Sequence, residues 1–199
     1  MEALGTLAFA ISGIRLAAQK DFDLFGAYVV GLVTAIGGGT IRDLCLGQTP
    51  FWMQDASYLI WSGVALIIVL LLRKYLVKLD ITFFIFDTIG LALFTVVGIE
   101  KTLYNGFPFW VAIVMGTITG AAGGIIRDIF INQIPLIFRK EIYAIACIIG
   151  GVIYYLCQSW SNDSQLVEVA SAASVILTRI IAVKYKIGLP HIKSENFFK

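Results

Sequence analysis

The sequence predicts an all-α integral membrane protein of seven transmembrane helices, two inverted three-helix repeats followed by a C-terminal seventh helix. Three observations predict it. Apolar runs long enough to cross a bilayer recur along the chain, one block of sequence returns 85 positions later, and basic residues cluster in alternate connections between the runs. Of the 199 residues, 59% are hydrophobic and 14% charged, too small a polar complement to coat a water-soluble particle of this size.

The first run, Leu4–Ala18, is short, so Arg15 is expected at the interface. Glu2 stands where a secretory signal would carry a basic residue, and the run reads as a retained helix. The second, Leu24–Ile41, and third, Ala56–Leu72, complete a unit over 1–80. The fourth, fifth and sixth runs, Ile81–Ile99, Phe107–Ile126 and Ile142–Leu156, make a second unit over 81–160, with Gln158 as an interfacial flank of the short sixth run. Leu166–Val183 and the following tail, within 161–199, have no counterpart in either unit, and this seventh helix suits a role in assembly.

Arg15 and Lys20, Arg73, Lys74 and Lys78, Arg139 and Lys140, and Lys184, Lys186, Lys193 and Lys199 all fall on one side of this arrangement, with little but Lys101 opposite. Short basic connections stay in the cytoplasm. The expected protein is therefore a multi-pass inner (cell) membrane protein with its amino terminus outside and its carboxyl terminus cytoplasmic.

A shift of 85 positions lays Gly31-Leu-Val-Thr-Ala-Ile-Gly-Gly-Gly-Thr-Ile-Arg-Asp43 on Gly116-Thr-Ile-Thr-Gly-Ala-Ala-Gly-Gly-Ile-Ile-Arg-Asp128, and Pro50 on Pro135. Gly5, Phe9, Gly13 and Ile14 fall on Gly90, Phe94, Gly98 and Ile99, and Tyr58 on Tyr143. Because each copy holds three crossings, the second enters the membrane from the opposite side. The meeting point of equivalent segments near the midplane is the expected site.

Gly37, Gly38 and Gly39 are consecutive within a span, and Gly123 and Gly124 repeat the arrangement. Each glycine costs about 1 kcal/mol of helix propensity relative to alanine. The helices are therefore expected to break there and bare carbonyl oxygens, a natural lining for a monovalent-cation pathway. A packing role competes, since Ala27, Gly31, Ala35 and Gly39, like Ala112, Gly116, Gly120 and Gly124, form small-residue stripes at four-residue spacing.

Arg42-Asp43 and Arg127-Asp128 follow within apolar surroundings, where an unpaired charge costs at least about 2.5 kcal/mol. They read either as the charged lining of a pathway or as interfacial caps. Neighbours do not face each other on a helix, so each is expected to pair with another element. Asp87, beside Thr88, reads as a helix cap or as a carboxylate at a pathway mouth, with capping favoured. Thr34, Thr119, Ser12 and Thr95 either bond their own helices or line a pore. Glu100-Lys101 reads as a solvated helix end, and His191 as a residue of a polar tail.

Cys45, Cys147 and Cys157 lack metal-ligand spacing, and no nucleophile–base set, phosphate loop or metal cluster is visible, so the sequence supplies no case for an enzyme or a cofactor. The net charge of +2 with scattered basic residues does not suit nucleic acid.

Through Ala8-Phe9-Ala10-x-Ser12-Gly13, Gly37-Gly38-Gly39-x-x-Arg42-Asp43 and Gly123-Gly124-x-x-Arg127-Asp128, nearly the whole chain resembles prokaryotic TRIC (trimeric intracellular cation) channels. The resemblance implies a homotrimer in membrane lipids with one pore per protomer. Potassium or sodium ions would permeate, and the second and fifth helices would line the pore. Ala122 departs from the glycine triplet of that pattern. Glu100-Lys101 also lacks the order of the Lys-Glu-Val motif of eukaryotic relatives, so lipid regulation does not transfer. Inverted repeats suit secondary transporters equally, and sequences of this pattern are often labelled glycine transporters. A carrier of glycine or another small solute is therefore the competing expectation, and a purely structural protein the third.

Overall fold

The structure, a computed structural model, describes residues 1–77, 80–139, 141–160 and 163–190, the side chain of Asp80 excepted. Lys78, Lys140, His191, Lys193 and Lys199 lie outside the described residues. Among the described residues there is no strand. The helices are α1 Glu2–Gln19, α2 Leu24–Cys45, α3 Phe51–Gln54, α4 Ser57–Leu71, α5 Arg73–Leu76, α6 Asp80–Tyr104, α7 Phe109–Phe130, α8 Ala144–Trp160 and α9 Ser164–Lys184, with a 3₁₀ turn at Leu136–Phe138.

Four of these are long and apolar enough to cross a membrane: α2, α6 over Ile81–Tyr104, α7 and α9; α4 and α8 are apolar but shorter. α1 sits where the first run was expected, and its burial explains its mixed composition. From Ala8 to Ala17 every residue is buried, including Ser12 and Arg15, because α2, α4 and α6 pack around it. Arg15 therefore does not snorkel to an interface. It is 1% exposed and donates from Nε to the Leu76 carbonyl at 2.6 Å, which ties α1 to the short α5.

Large apolar side chains that no other part of the chain covers stand on the outer faces, among them Ile60, Ile67 and Leu71 of α4, Ile148 and Val152 of α8, and Leu177 and Ile181 of α9. In water such a surface would drive aggregation, whereas hydrocarbon solvates it.

Two antiparallel crossings organise the interior. On α1 and α6, Gly5 faces Phe94 while Gly90 faces Phe9, and the two phenyl rings stack at 5.4 Å between centroids. On α2 and α7, Gly38 faces Thr119 while Gly123 faces Thr34. Each pair of contacts is related by an offset of 85 residues, the offset at which the sequence repeats.

Helix ends repeat at the same offset. Gly47 (φ 68°) and Asn132 (φ 55°) take left-handed conformations just past α2 and α7. Gln48 and Gln133 then donate their amides to the Asp43 and Asp128 carbonyls, both at 2.8 Å, closing each helix with a Schellman-type turn. Asp23 caps α2 by accepting from the Gly26 amide at 2.6 Å, and Asp163 caps α9.

The glycines do not break their helices. α2 runs continuously from Leu24 to Cys45 and α7 from Phe109 to Phe130, each beyond its expected end, so the Arg-Asp pairs lie in the last helical turns. The propensity cost of the glycines is offset by close packing of the helices, which needs an intact backbone on both sides.

Candidate ion pathway

At the α2–α7 crossing the two backbones touch. A Cβ on Gly38 would overlap the Thr119 carbonyl oxygen, and one on Gly123 would overlap the Thr34 carbonyl oxygen, so each helix fills with a main-chain oxygen the space that a side chain would take on the other. Gly37 packs against Ile126 and Gly123 of α7. Gly39 lies under the Phe51 ring, and its repeat-mate Gly124 lies against the Tyr143 hydroxyl. Thr34 and Thr119 donate their hydroxyls to Val30 and Met115 of their own helices, both at 2.6 Å, and Thr95 likewise bonds Leu91 at 2.7 Å. Their hydroxyl hydrogens are spent within the helix, the outcome weighed against pore lining.

Because the crossing is antiparallel, Arg42 and Arg127, each four residues past the contact glycines, project to opposite sides of it. Each makes the centre of a charged cluster. Arg42, 1% exposed, donates from Nε and Nη2 to Asp43 Oδ1 at 2.8 and 2.6 Å. Arg127, fully buried, donates from Nε to Asp128 Oδ1 at 2.9 Å. The expectation that each would pair with another element holds for Arg127, which also meets Asp87 of α6, whereas the pairing of helix neighbours was not expected. The long guanidinium arm folds back over one residue, a reach that short side chains lack. The second carboxylate oxygen of each Asp accepts a main-chain amide after the proline, Phe51 for Asp43 at 2.9 Å and Leu136 for Asp128 at 3.0 Å. Each Asp thus pins an arginine with one oxygen and the following segment with the other.

The two clusters then differ. Around Arg42 the Tyr58 hydroxyl donates to Glu2, Lys101 pairs with Glu2 at 2.6 Å with both side chains about a third exposed, and Phe51 lies 5.7 Å from the Arg42 guanidinium and 5.1 Å from the Lys101 ammonium. Outside this cluster is a cavity of about 320 Å³ bordered by Asp43, Asp55, Gln48, Lys101 and Asn105. A separate space of about 10 Å³, about the size of one water, lies beside Gly39 and Arg42. At the rim the Ser57 amide and hydroxyl both donate to Asp55, which holds its carboxyl below the usual value, so it stays ionised. Lys101→Met is expected to cost less than about 1 kcal/mol, because a partly solvated ion pair contributes little. A thermal melt in detergent checks this, and a loss of several times that size would mean that Lys101 is held far more tightly than its exposure indicates.

The Arg127 cluster is more deeply buried. Asp87, 0% exposed, accepts from Arg127 Nη1 at 2.5 Å, and the same nitrogen donates to the Ser12 hydroxyl at 2.9 Å. Asp87 was read chiefly as a helix cap. α6 begins at Asp80, two turns earlier, so Asp87 lies in the helix interior with its carboxylate neutralised across the protein. α9 supplies a second cation: Arg179, 1% exposed, donates from Nη1 to Glu141 Oε2 at 3.0 Å and to the Ile142 carbonyl at 3.3 Å. Its Nη2 lies 3.7 Å from Asp87 Oδ2. Phe83 covers Arg127 at 4.8 Å, and Phe84 and Tyr143 flank Arg179 at 5.2 and 5.0 Å.

Sequence reasoning missed Glu2, Tyr58, Lys101, Tyr143, Glu141 and Arg179 as members of these clusters. Glu2 falls on Asp87 at the offset of 85, and Tyr58 on Tyr143, so the repeat held a signal for both acid–tyrosine contacts, Tyr58 with Glu2 and Tyr143 with Asp87. Arg179 lies outside the repeat and carried none.

A bundle with lipid-compatible faces, an antiparallel glycine crossing at its centre and an ion cluster on each side of that crossing defines a polytopic membrane protein with a charged interior. A family model described as "Glycine transporter" matches residues 1–74 and 84–159, and the chain belongs to that family, whose fold it shares with the prokaryotic TRIC channels. A UPF0126 membrane protein of Vibrio cholerae is 40% identical over 192 residues, covering 96% of this chain and 80% of that one. The UPF0126 inner membrane protein YadS of Escherichia coli K12 is 38% identical over 195 residues, covering 96% and 93%. Among solved structures, the trimeric intracellular cation channel orthologue of Rhodobacter sphaeroides superimposes with a TM-score of 0.88 at 31% identity, covering 94% of this chain and 96% of that one. A TRIC cation channel studied for its conductance gives 0.86 at 32% identity, covering 96% and 95%.

Proposed function

We propose that this protein is a passive channel for monovalent cations, potassium and sodium, in the inner membrane, assembled as a homotrimer with a pathway in each protomer. The observation that carries the reading is the pair of Arg-Asp clusters on opposite sides of one glycine crossing, one of them opening onto a polar vestibule, in a chain with the fold of cation channels. Asp43 and Asp55 draw cations into the vestibule. Arg42 stands between it and the crossing, and Arg127, held by Asp87 and Asp128, stands beyond.

The pathway follows Gly37, Gly38, Gly39 and Thr34 of α2 and Gly123, Gly124 and Thr119 of α7 along intact helices. Conduction requires α2 and α7 to tilt about this tightly packed crossing. The two units, 1–80 and 81–160, are inverted repeats in this reading, with α9 added, the amino terminus outside and the carboxyl terminus cytoplasmic. The apolar outer faces of α4, α8 and α9 meet membrane lipids or neighbouring protomers.

A carrier is the second reading, supported by the description of the family model. Flux into liposomes holding the purified protein separates the two. The channel reading expects potassium uptake that rises with concentration without saturating and no concentrative glycine uptake. Saturable glycine uptake driven by an ion gradient, with no potassium flux, overturns it.

A further inference from the structure

Arg179 is shared unequally between two carboxylates. Its bond to Glu141 is short at 3.0 Å, whereas its approach to Asp87 is 3.7 Å and makes no hydrogen bond. Within this buried cluster Asp87 Oδ2 and Arg179 Nε both lack a hydrogen-bond partner. Buried polar atoms are rarely left in this condition, because each forfeits its water without replacement. The pair is poised between contact and separation.

Glu141 is the one member of this set with access to solvent. Its side chain is 37% exposed and borders a cavity of about 310 Å³ between the start of α8 and the end of α9, with Lys186 on the same rim. A relay of charge therefore runs inward from that cavity through Glu141, Arg179 and Asp87 to Arg127.

We infer that Arg179 is a tethered cation that competes with permeant cations for Asp87, and that Glu141 sets its position. With Arg179 against Asp87, two arginines balance Asp87 and Asp128, and the interior is neutral. With Arg179 drawn outward to Glu141, the group of Asp87, Asp128 and Arg127 carries one net negative charge in low dielectric, which favours a mobile cation strongly. α9, which lies outside the repeat, thus supplies a regulating residue for the pathway. This inference rests on the channel reading.

The two partners pull on Arg179 from opposite sides, so removing one or the other has opposite effects. Potassium flux into liposomes holding the full-length protein is the readout. Arg179→Gln is expected to raise the flux and Glu141→Gln to lower it, each by roughly threefold or more, the range seen when coupled residues bias a two-state element. Arg179→Gln/Glu141→Gln is expected to match Arg179→Gln, because Glu141 acts only through Arg179. Arg179→Lys, which keeps the charge, is expected to stay near the wild type.

A merely structural role would lower flux in both single variants in proportion to lost folded protein, and that result, or a silent Glu141→Gln, overturns the inference. Should Arg179→Gln fail to fold, Glu141→Gln and Glu141→Ala decide alone, being partly exposed: unchanged or raised flux refutes the tether. Wild-type protein that passes no potassium refutes the channel reading itself, a distinct outcome.

Discussion

Asp87→Ala is expected to remove most folded protein. The change strands Arg127 and brings Arg179 no closer to a partner, in a region where both guanidinium groups are at most 1% exposed. Breaking a buried pair by deleting one partner costs about 3–5 kcal/mol, a large share of the stability of a typical domain. Arg127 retains Asp128 and the Ser12 hydroxyl, which keeps the loss within that range. Size-exclusion profiles of the solubilised protein and thermal melts check it. A variant that elutes and melts like the wild type would show that Asp87 contributes nothing to stability, contrary to the pairing described above. The loss should be far larger than that from Lys101→Met, although both changes break a salt bridge, because solvent reaches only the latter.

Gly38→Leu is expected to separate α2 from α7 and destabilise the protomer. The added Cβ alone would meet a main-chain oxygen, which cannot rotate away as a side chain can. Overpacking a well-fitted interior costs about 1–3 kcal/mol even when neighbours are flexible, and here the neighbour is rigid. Gly123→Leu should do the same, since its contact with Thr34 mirrors that of Gly38 with Thr119. Gly63→Leu, with nothing within 4 Å of its Cβ position, is the control and should be tolerated. If Gly38→Leu were as stable as the control and changed only flux, the crossing would not be the tight contact described here.

Much of the fold was legible in the sequence because it rests on patterns that a membrane enforces. Each of the seven apolar runs coincides with a helix among the described residues to within about five residues at either end, and the residues that meet at both crossings are repeat equivalents of one another. The glycines were located correctly and interpreted wrongly. Propensity alone argues for a break at Gly37-Gly38-Gly39, but propensity is a local quantity, and the backbone that Gly38 packs against, at Thr119, is distant in sequence.

The charged clusters were half legible for a similar reason. Arg42, Asp43, Arg127, Asp128 and Asp87 stand out as charges within apolar runs. Arg179 sits in the last turns of α9 beside basic residues that belong to the surface, and nothing local separates it from them. Lys101 and Glu2 looked like ordinary helix ends. Only the fold brings α1, α4 and α6 together so that Glu2 meets Tyr58 and Lys101.

The mutual fit of Gly38 with Thr119 and of Gly123 with Thr34 leaves α2 and α7 a fulcrum. Sliding either helix along the other would drive a Cα into the next residue's side chain, so the freedom that remains is tilt about the point of contact. Arg42 and Arg127 ride on lever arms of roughly 6 Å, four residues of helical rise, one on each side of that point. Tilting that lifts one arginine displaces the other in the same stroke, so the two charged clusters, the two ends of the proposed pathway, are mechanically bound to move as one.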